Sequence, residues 1–532
     1  MNYDEFEALS ISEAVLSVAK ENLKNTAITY MNKKISYKTF LQKIKKLSLA
    51  FFSFGVKKGD VVLVALPNIP QAVYILYALN RIGAVPAFVS PLSAEAELEL
   101  YIRKCKSSII VALDEHYEKL LRVMAKTGDK TLILTSAFDE IIFTAKKSLP
   151  KVVRWNALFK NKSENIYISP LKPKDTAVIL FSGGTTGTPK AVELTNLNLN
   201  ALALGTESAC EKGVERVKML SVLPVFHGFG LGIAIHTVLF FGGNILLMPR
   251  FNAEKVGRII KRNKPDYLAF VPAILEPIIN AKTLKSADLS HILGVFSGGD
   301  ALNSELKNRF DTFLSKHKAK THIRQGYGLT ECVAASCLMP DNKSKTDSVG
   351  LPYRDTEYKI VTPYTCDEAP EGSTGEICIS GKTVMKGYLD DKYETQRVLK
   401  HHSDGNLWLH TGDLGCIDDE GFVYFKGRLK RVIISNGHNV YPSEIENALN
   451  KLPYIKECCA VGVSDNRKVQ AVALFAVLKQ NEIVKKEDIL KHLQSYVSKY
   501  ALPEYVYFID SLPKTHLGKV AFKELEKNCR RL

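Results

Sequence analysis

The segment Ser182-Gly183-Gly184-Thr185-Thr186-Gly187-Thr188-Pro189-Lys190 follows the apolar run Ile179-Leu180-Phe181 and combines glycines, hydroxyls and one lysine. Glycines let backbone N–H groups approach an anion closely, hydroxyls can donate to it, and an ammonium can neutralise an oxyanion. That set suits phosphates. It is neither G-x-x-x-x-G-K-[ST], because Ala191 follows Lys190, nor G-x-G-x-x-G, so neither common nucleotide fingerprint applies. On composition alone, a flexible surface turn is an equally good reading. A second candidate is His227, in Leu223-Pro224-Val225-Phe226-His227-Gly228, just past a run that reads as a strand. Open α/β sheets place their ligands there, although a structural histidine is the commoner outcome.

Groups of this kind need a rigid frame, and the chain offers one. Strand-like runs at 61–66, 84–89, 108–113 and 131–134 alternate with helical spacing at 72–82, which is the signature of parallel sheets with crossover helices. A second round follows, with strands at 218–223, 244–248, 267–271 and 292–297 and helices near 233–240 and 253–262. Beyond Pro340 short strands broken by turn residues, at 358–362, 375–380, 416–417 and 422–425, read as a small antiparallel barrel or sheet. From Arg431 the texture is mixed again, with a helix from Ser443, strands at 458–463 and 472–477 and a helix at 486–499, enough for a separate domain. The expected fold is therefore α/β, with two α/β subdomains to about 340, a β-barrel at about 341–427, and an α+β C-terminal domain over 430–532.

The 532 residues exceed what one hydrophobic core usually serves, which is about 250–300 residues. A composition of 46% apolar and 24% charged residues excludes disordered and fibrous classes. The net charge of +16 favours anionic ligands, yet no basic helix with interleaved aromatics supports nucleic-acid binding. Ten cysteines without a C-x-x-C pair or histidines at metal spacing indicate neither disulfides nor a zinc site, so a reduced cytoplasmic home is expected. The acidic start is the wrong polarity for a signal peptide. The apolar stretch 228–248 contains His236 and Asn244 and reads as buried helix plus strand, so no transmembrane anchor is expected, while peripheral membrane contact stays open.

Five motifs in order resemble those of the adenylate-forming superfamily of acyl-CoA synthetases, luciferases and peptide-synthetase adenylation domains. Ser182 to Lys190 resembles its phosphate loop, and Tyr327-Gly328-Leu329-Thr330-Glu331 the motif that stacks adenine and places an acidic Mg²⁺ ligand. Thr411-Gly412-Asp413 resembles the ribose-binding turn, Gly427-Arg428-Leu429-Lys430 the junction between large and small domains, and Pro513-Lys514-Thr515-His516-Leu517-Gly518-Lys519 the catalytic-lysine loop. The resemblance implies ATP and AMP contacts from Ser182, Gly183, Gly184, Thr185, Thr186, Gly187, Lys190, Gly298, Gly299, Gln325, Gly326, Tyr327, Gly328, Thr330, Asp413 and Arg428. It implies Mg²⁺ at Glu331 and Thr185, catalysis by Lys519 with Lys190 and His227, and an acyl pocket at Phe226, His227, Gly228 and Gly230. Further implications are a hinge at Lys430 within a 1–429/430–532 division, and a coenzyme A tunnel at Ser435 and Gly437.

The implied reaction is activation of a carboxylic acid to acyl-AMP, then transfer to CoA. The chemistry agrees with the motifs, because joining a carboxylate to a phosphate brings two anions together and requires positive charge. A histidine at 227 among apolar neighbours suits an acid without an amine, and Phe226, Phe229, Leu231, Ile233, Ile235 and Phe240 suggest a medium- or long-chain fatty acid. An aryl acid is the close alternative, and a stand-alone enzyme loading a carrier protein is another; the chain's ending at Leu532 without a carrier domain favours free CoA. Three departures stand out: Arg431 replaces an acid common after the hinge, Lys468-Val469-Gln470 stands where Gly-Glu is frequent, and Val520-Ala521-Phe522 lacks a frequent arginine.

Overall fold

The expected strands form two large sheets in a computed structural model, which describes residues 3–141, 152–160, 170–182, 189–435, 438–465, 469–480, 482, 484–514 and 520–529. The first sheet runs, edge to edge, Gly387–Tyr388, Lys190–Thr195, Thr176–Ser182, Val85–Phe88, Val61–Ala65, Ile109–Leu113, Thr131–Thr135 and Val152–Arg154. Its strands are parallel except at the Gly387–Tyr388 edge, where Lys190–Thr195 pairs antiparallel on both sides. Runs such as Val61-Val62-Leu63-Val64-Ala65 are apolar on both faces, as strands covered by helices on both sides must be.

The second sheet is built mainly from Lys218–Ser221, Asn244–Leu247, Tyr267–Phe270, Gly294–Ser297 and Ile323–Tyr327, all parallel. Its far edge comes from elsewhere. The hairpin Thr26–Tyr30 and Lys33–Ser36 crosses over, so that Ile28 pairs with Ile245, and all of the first sheet except its Gly387–Tyr388 edge falls in sequence between that hairpin and Lys218–Ser221.

Between the layers lies Pro70–Arg81, a helix buried over nearly its whole length. An apolar surface on every side allows no other position. Tyr77 Oη lies 3.1 Å from His236 Nδ1, and His236 Nε2 lies 3.2 Å from Asn200 Oδ1, so one histidine joins three helical segments in the interior. Chain length argued for separate cores, but one apolar cluster runs from Val64 and Leu180 through Leu220 and Val295 to Ile377 and Leu409, because these helices are shared between layers.

The segment expected as a barrel is a five-stranded antiparallel sheet of Thr356–Val361, Gly375–Gly381, Leu399–His401, Leu407–Ile417 and Val423–Arg428. The long strand Leu407–Ile417 pairs with Leu399–His401 at its start and with Val423–Arg428 at its end. The C-terminal sheet, with Ile455–Asp465 and Val469–Leu478 at its centre, has its own cores. Two expectations change. The helix expected over 486–499 stops at Leu493, where Ser495-Tyr496-Val497-Ser498 are weaker helix formers and the turn tightens into a Ser495 N–H to His492 carbonyl bond. The helix expected near 233–240 begins earlier and is wide, with π-type spacing over Phe229–Thr237 before a last turn at Val238–Phe240. The stretch 228–248 is thus helix plus strand, and no described helix is long and apolar enough to cross a membrane.

Burial pushes His236 from an ordinary 6.5 down to about 3. The unfolded chain therefore takes up this proton first as the pH falls below 6.5, and native stability drops through the window between 6.5 and about 3, by up to about 1.4 kcal/mol per pH unit. His236→Gln has no such proton to take up, and its urea midpoints should fall less steeply than wild type between about pH 6 and pH 4. Parallel slopes would rule out His236 as their source.

Candidate active site

The expected phosphate loop joins two antiparallel strands, with Ser182 in register with Lys190. No helix follows it, so backbone and side chains rather than a helix dipole must supply its positive character. Ser182 Oγ donates to Glu331 Oε1 at 3.0 Å, and Tyr388 Oη donates to the same oxygen at 2.9 Å. Ser182 and Tyr388 belong to the first sheet, and Glu331 lies in the turn leaving the second. The carboxylate therefore bridges the sheets. Lys190 lies 4.6 Å from the centre of the Tyr388 ring and forms a 2.5 Å ion pair with Glu394, whose carboxyl it holds below the usual range.

Tyr327 ends the strand Ile323–Tyr327 and donates to Asp413 Oδ2 at 2.7 Å; Arg428 reaches Asp413 Oδ1 at 2.7 Å. Asp413 is buried, and burial followed by its charge raises the Tyr327 phenol far above its ordinary value, so Tyr327 stays a neutral donor. The turn before Asp413 is tightly held. Thr411 Oγ1 donates to the Ile377 carbonyl, Gly412 takes φ +69°, and the Gly412 N–H donates to Glu376 Oε1 at 2.9 Å. A carboxylate has about four acceptor positions, so Asp413 keeps capacity for hydroxyl groups of a ligand.

At the carboxyl ends of neighbouring parallel strands, Ser297 is in register with Gln325, which brings Gly298 beside Gly326. A Cβ on Gly298 would lie 3.1 Å from the Gly326 carbonyl, and one on Gly328 only 1.6 Å from that of Ala334. Past Thr330 and Glu331, Val333 adopts φ +66° and ψ −62°, with Ala334 N–H donating to Cys332 O at 2.8 Å. A β-branched residue in this region stores strain of about 1–3 kcal/mol. The strained turn presses on the next element, because a Cβ on Gly228 would meet the Val333 carbonyl at 1.5 Å.

His227 is half-buried beside Phe226, with ring centres 4.8 Å apart, just before the wide helix. Phe226 and Phe229 stay partly exposed, whereas Leu231, Ile233, Ile235 and Phe240 are closed into the interior. Phe240 packs on Phe6. The expected apolar lining thus contracts to the start of the segment. A Cβ on Gly230 would strike the Pro224 carbonyl at 2.2 Å, so that glycine serves backbone packing and enlarging it would disturb the fold.

Gly183, Gly184, Thr185, Thr186, Gly187, Gly437 and Lys519 lie outside the described residues. The chain enters the loop of Lys519 at Lys514 and leaves it at Val520, which bridge to one another. Ser435 is buried and lines a cavity of about 320 Å³ with Val472, Tyr500 and Glu504. Burial, then Arg397 and Lys190, lowers the Lys430 ammonium, so the expected hinge stands in the field of the phosphate-loop lysine. Arg431 reaches Glu446 at 2.5 Å and the Ala460 carbonyl at 3.2 Å, anchoring the linker to the C-terminal segment. Tyr388, Glu394 and Arg397 had no sequence signal, because they reach the site only through the pairing of Gly387–Tyr388 with Lys190–Thr195. The assembled groups offer cations for a polyphosphate, a hard carboxylate for a divalent cation and a buried acid for hydroxyls.

Gly228→Ala should lose more than about 3 kcal/mol, at or beyond the usual upper range for overpacking, since only backbone movement can relieve the contact. An unchanged urea midpoint would mean that the wide helix is not seated on the Val333 turn.

Residues 16–389 match the family model described as AMP-binding enzyme, and residues 444–519 match the AMP-binding enzyme C-terminal domain. The chain is 32% identical to a long-chain-fatty-acid–CoA ligase of Bacillus subtilis over 94% of this chain and 91% of that protein. It is 30% identical to the 4-coumarate–CoA ligase CCL1 of Humulus lupulus, covering 90% and 86%. The ATP-bound crystal structure of MatB from Rhodopseudomonas palustris superposes with a TM-score of 0.85 at 23% identity, covering 97% of this chain and 98% of that one, and so shares the fold. The matched models follow one another in the order of the motifs found from the phosphate loop onward, and the chain belongs to the AMP-binding enzyme family.

Proposed function

We propose that the protein joins a carboxylic acid, most suitably a medium- or long-chain fatty acid, to coenzyme A through an acyl-adenylate. In the first half-reaction a carboxylate oxygen attacks the α-phosphorus of ATP, forming acyl-AMP and releasing pyrophosphate. In the second, the CoA thiolate sulfur attacks the acyl carbon and AMP leaves. The observation that carries this reading is Glu331, fixed by Ser182 and Tyr388, immediately beside Tyr327, Asp413 and Arg428.

Within that reading Tyr327 and Gly298, Gly299, Gln325, Gly326 and Gly328 border the adenine, and Asp413 accepts from the ribose. The loop from Ser182 to Lys190 holds the phosphates, and Arg428 and Lys190 offset their charge. Lys190 exchanges Glu394 for phosphate as it does so. Glu331, with Thr185, suits Mg²⁺, which prefers carboxylate and phosphate oxygens and neutralises phosphate charge when bound. Lys519 stabilises the negative charge that develops during attack. The division at 429/430 lets the C-terminal part turn about Lys430, presenting Lys519 for the first step and the Ser435–Gly437 segment for the second. The acid extends past His227, Phe226 and Gly228, where a second charge would lack a partner and be costly to desolvate. The relative named as a long-chain-fatty-acid–CoA ligase supports this substrate class. An aryl acid is the second reading, favoured by the relatives named as 4-coumarate–CoA ligases and by the partly exposed rings of Phe226 and Phe229.

Lys519→Ala should lower acid-dependent pyrophosphate release by about 10²–10³, while supplied acyl-adenylate should still react with CoA. Equal loss of both half-reactions would contradict the two-conformation cycle. In a panel of acids, aliphatic chains of about eight carbons or more should exceed acetate and amino acids in kcat/KM, since each buried CH₂ adds about 0.8 kcal/mol. Acetate or an amino acid at the top of that ranking would overturn the substrate class, and a cinnamate at the top would select the aryl reading.

A further inference from the structure

The antiparallel sheet encloses a side-chain cluster that the reaction above does not use. Cys366 lies in the turn after Thr356–Val361, His402 directly follows Leu399–His401, and His410 sits on Leu407–Ile417. Each offers one ligand atom, and these atoms all lie within 4.8 Å of one another. His402 and His410 are only 6% and 5% exposed, and Cys366 is a half-buried free thiol. Local spacing gave no hint of a metal site, because its members are spread from 366 to 410 and meet only when the sheet forms.

The protons decide what the cluster can bind. Glu376 Oε2 accepts a hydrogen bond from His410 Nδ1–H at 3.0 Å, which leaves His410 Nε2 as a bare lone pair. That nitrogen faces His402 Nε2 at 3.0 Å. If His402 donates there, its Nδ1 becomes a second lone pair, and this atom is buried with no hydrogen-bond partner. The pair thus holds one more lone pair than it has protons to cap, with a thiol alongside. Glu376 behind His410 is the carboxylate–histidine arrangement that orients metal ligands. Trp408 stacks on His402 with ring centres 5.7 Å apart and fixes its plane. The nearby cation Lys359 is neutralised by Asp404 and Glu368 at 2.6 and 3.0 Å.

We propose that Cys366, His402 and His410 form a three-ligand site for a borderline transition-metal ion, zinc(II) fitting the donor set best. Two imidazoles and a thiolate are ordinary zinc ligands, with one position left for water. Tetrahedral bonds of about 2.0–2.1 Å place two nitrogens roughly 3.3 Å apart, so the 3.0 Å separation needs to open by only a few tenths of an ångström. Binding at the two Nε2 atoms moves the His402 Nε2 proton to its unpartnered Nδ1 and releases the Cys366 thiol proton to solvent. Nitrogen and sulfur donors also separate this site from Glu331, whose oxygens suit Mg²⁺.

The test uses the full chain, stripped with a chelator and titrated with Co²⁺ as a spectroscopic probe. A single equivalent should give a sulfur-to-cobalt charge-transfer band that Zn²⁺ abolishes by displacement. Cys366→Ser, in a turn where the fold should persist, should lose the band while Cys529→Ser keeps it. Glu376→Gln should weaken Co²⁺ binding about tenfold or more through the ligand behind it. A wild-type protein without the band, or a band that survives in Cys366→Ser, overturns the site.

Discussion

One oxygen atom, Oε1 of Glu331 in the turn leaving the second sheet, accepts hydroxyl hydrogen bonds from two strands of the first. A carboxylate with two charge-assisted donors is held more firmly than any single contact would hold it, and both donors sit at strand ends whose positions are set by backbone ladders. The crevice between the sheets is therefore defined at its most charged point by a bond rather than by shape alone. Loss of that pairing would free the turn that follows, the strained Val333 and the start of the wide helix, because each is packed on the one before it.

Positive charge is organised differently. Lys190, Arg397 and Lys430 stand close enough to oppose one another, with Glu394 bound to two of them. Such an arrangement is strained by its own field when empty of anions and relieved when one enters. The +16 net charge visible in the composition is thus only a background to a local concentration that composition cannot reveal.

The parallel strands were legible because strands buried on both faces must be continuous apolar runs, and the boundaries moved by only a residue or two at Val61–Ala65, Ile109–Leu113 and Tyr267–Phe270. The nucleotide-side motifs were legible because glycines, a tyrosine and acids occur there at recognisable spacing. What escaped depended on distant partners. Tyr388 lies 57 residues from Glu331 in sequence, the Cys366–His402–His410 cluster needs three strands to assemble it, and the wide helix at Phe229–Thr237 packs closely on Val333 and Leu202, which are distant in sequence. The run Thr26–Tyr30 was not among the expected strands, and nothing local says that its neighbour is Asn244–Leu247.

That crossing of the N-terminal hairpin has a consequence for biosynthesis. Ile28 leaves the ribosome long before Ile245, its partner in the finished sheet. At a synthesis rate of about 5–20 residues per second, the interval is roughly 10–40 s. Throughout it, the apolar strand Thr26-Ala27-Ile28-Thr29-Tyr30 has only Lys33–Ser36 beside it and an open edge on its other side. An edge of that kind is a template for pairing with foreign strands. The nascent chain must then keep its first strand from the wrong partner until the second sheet arrives.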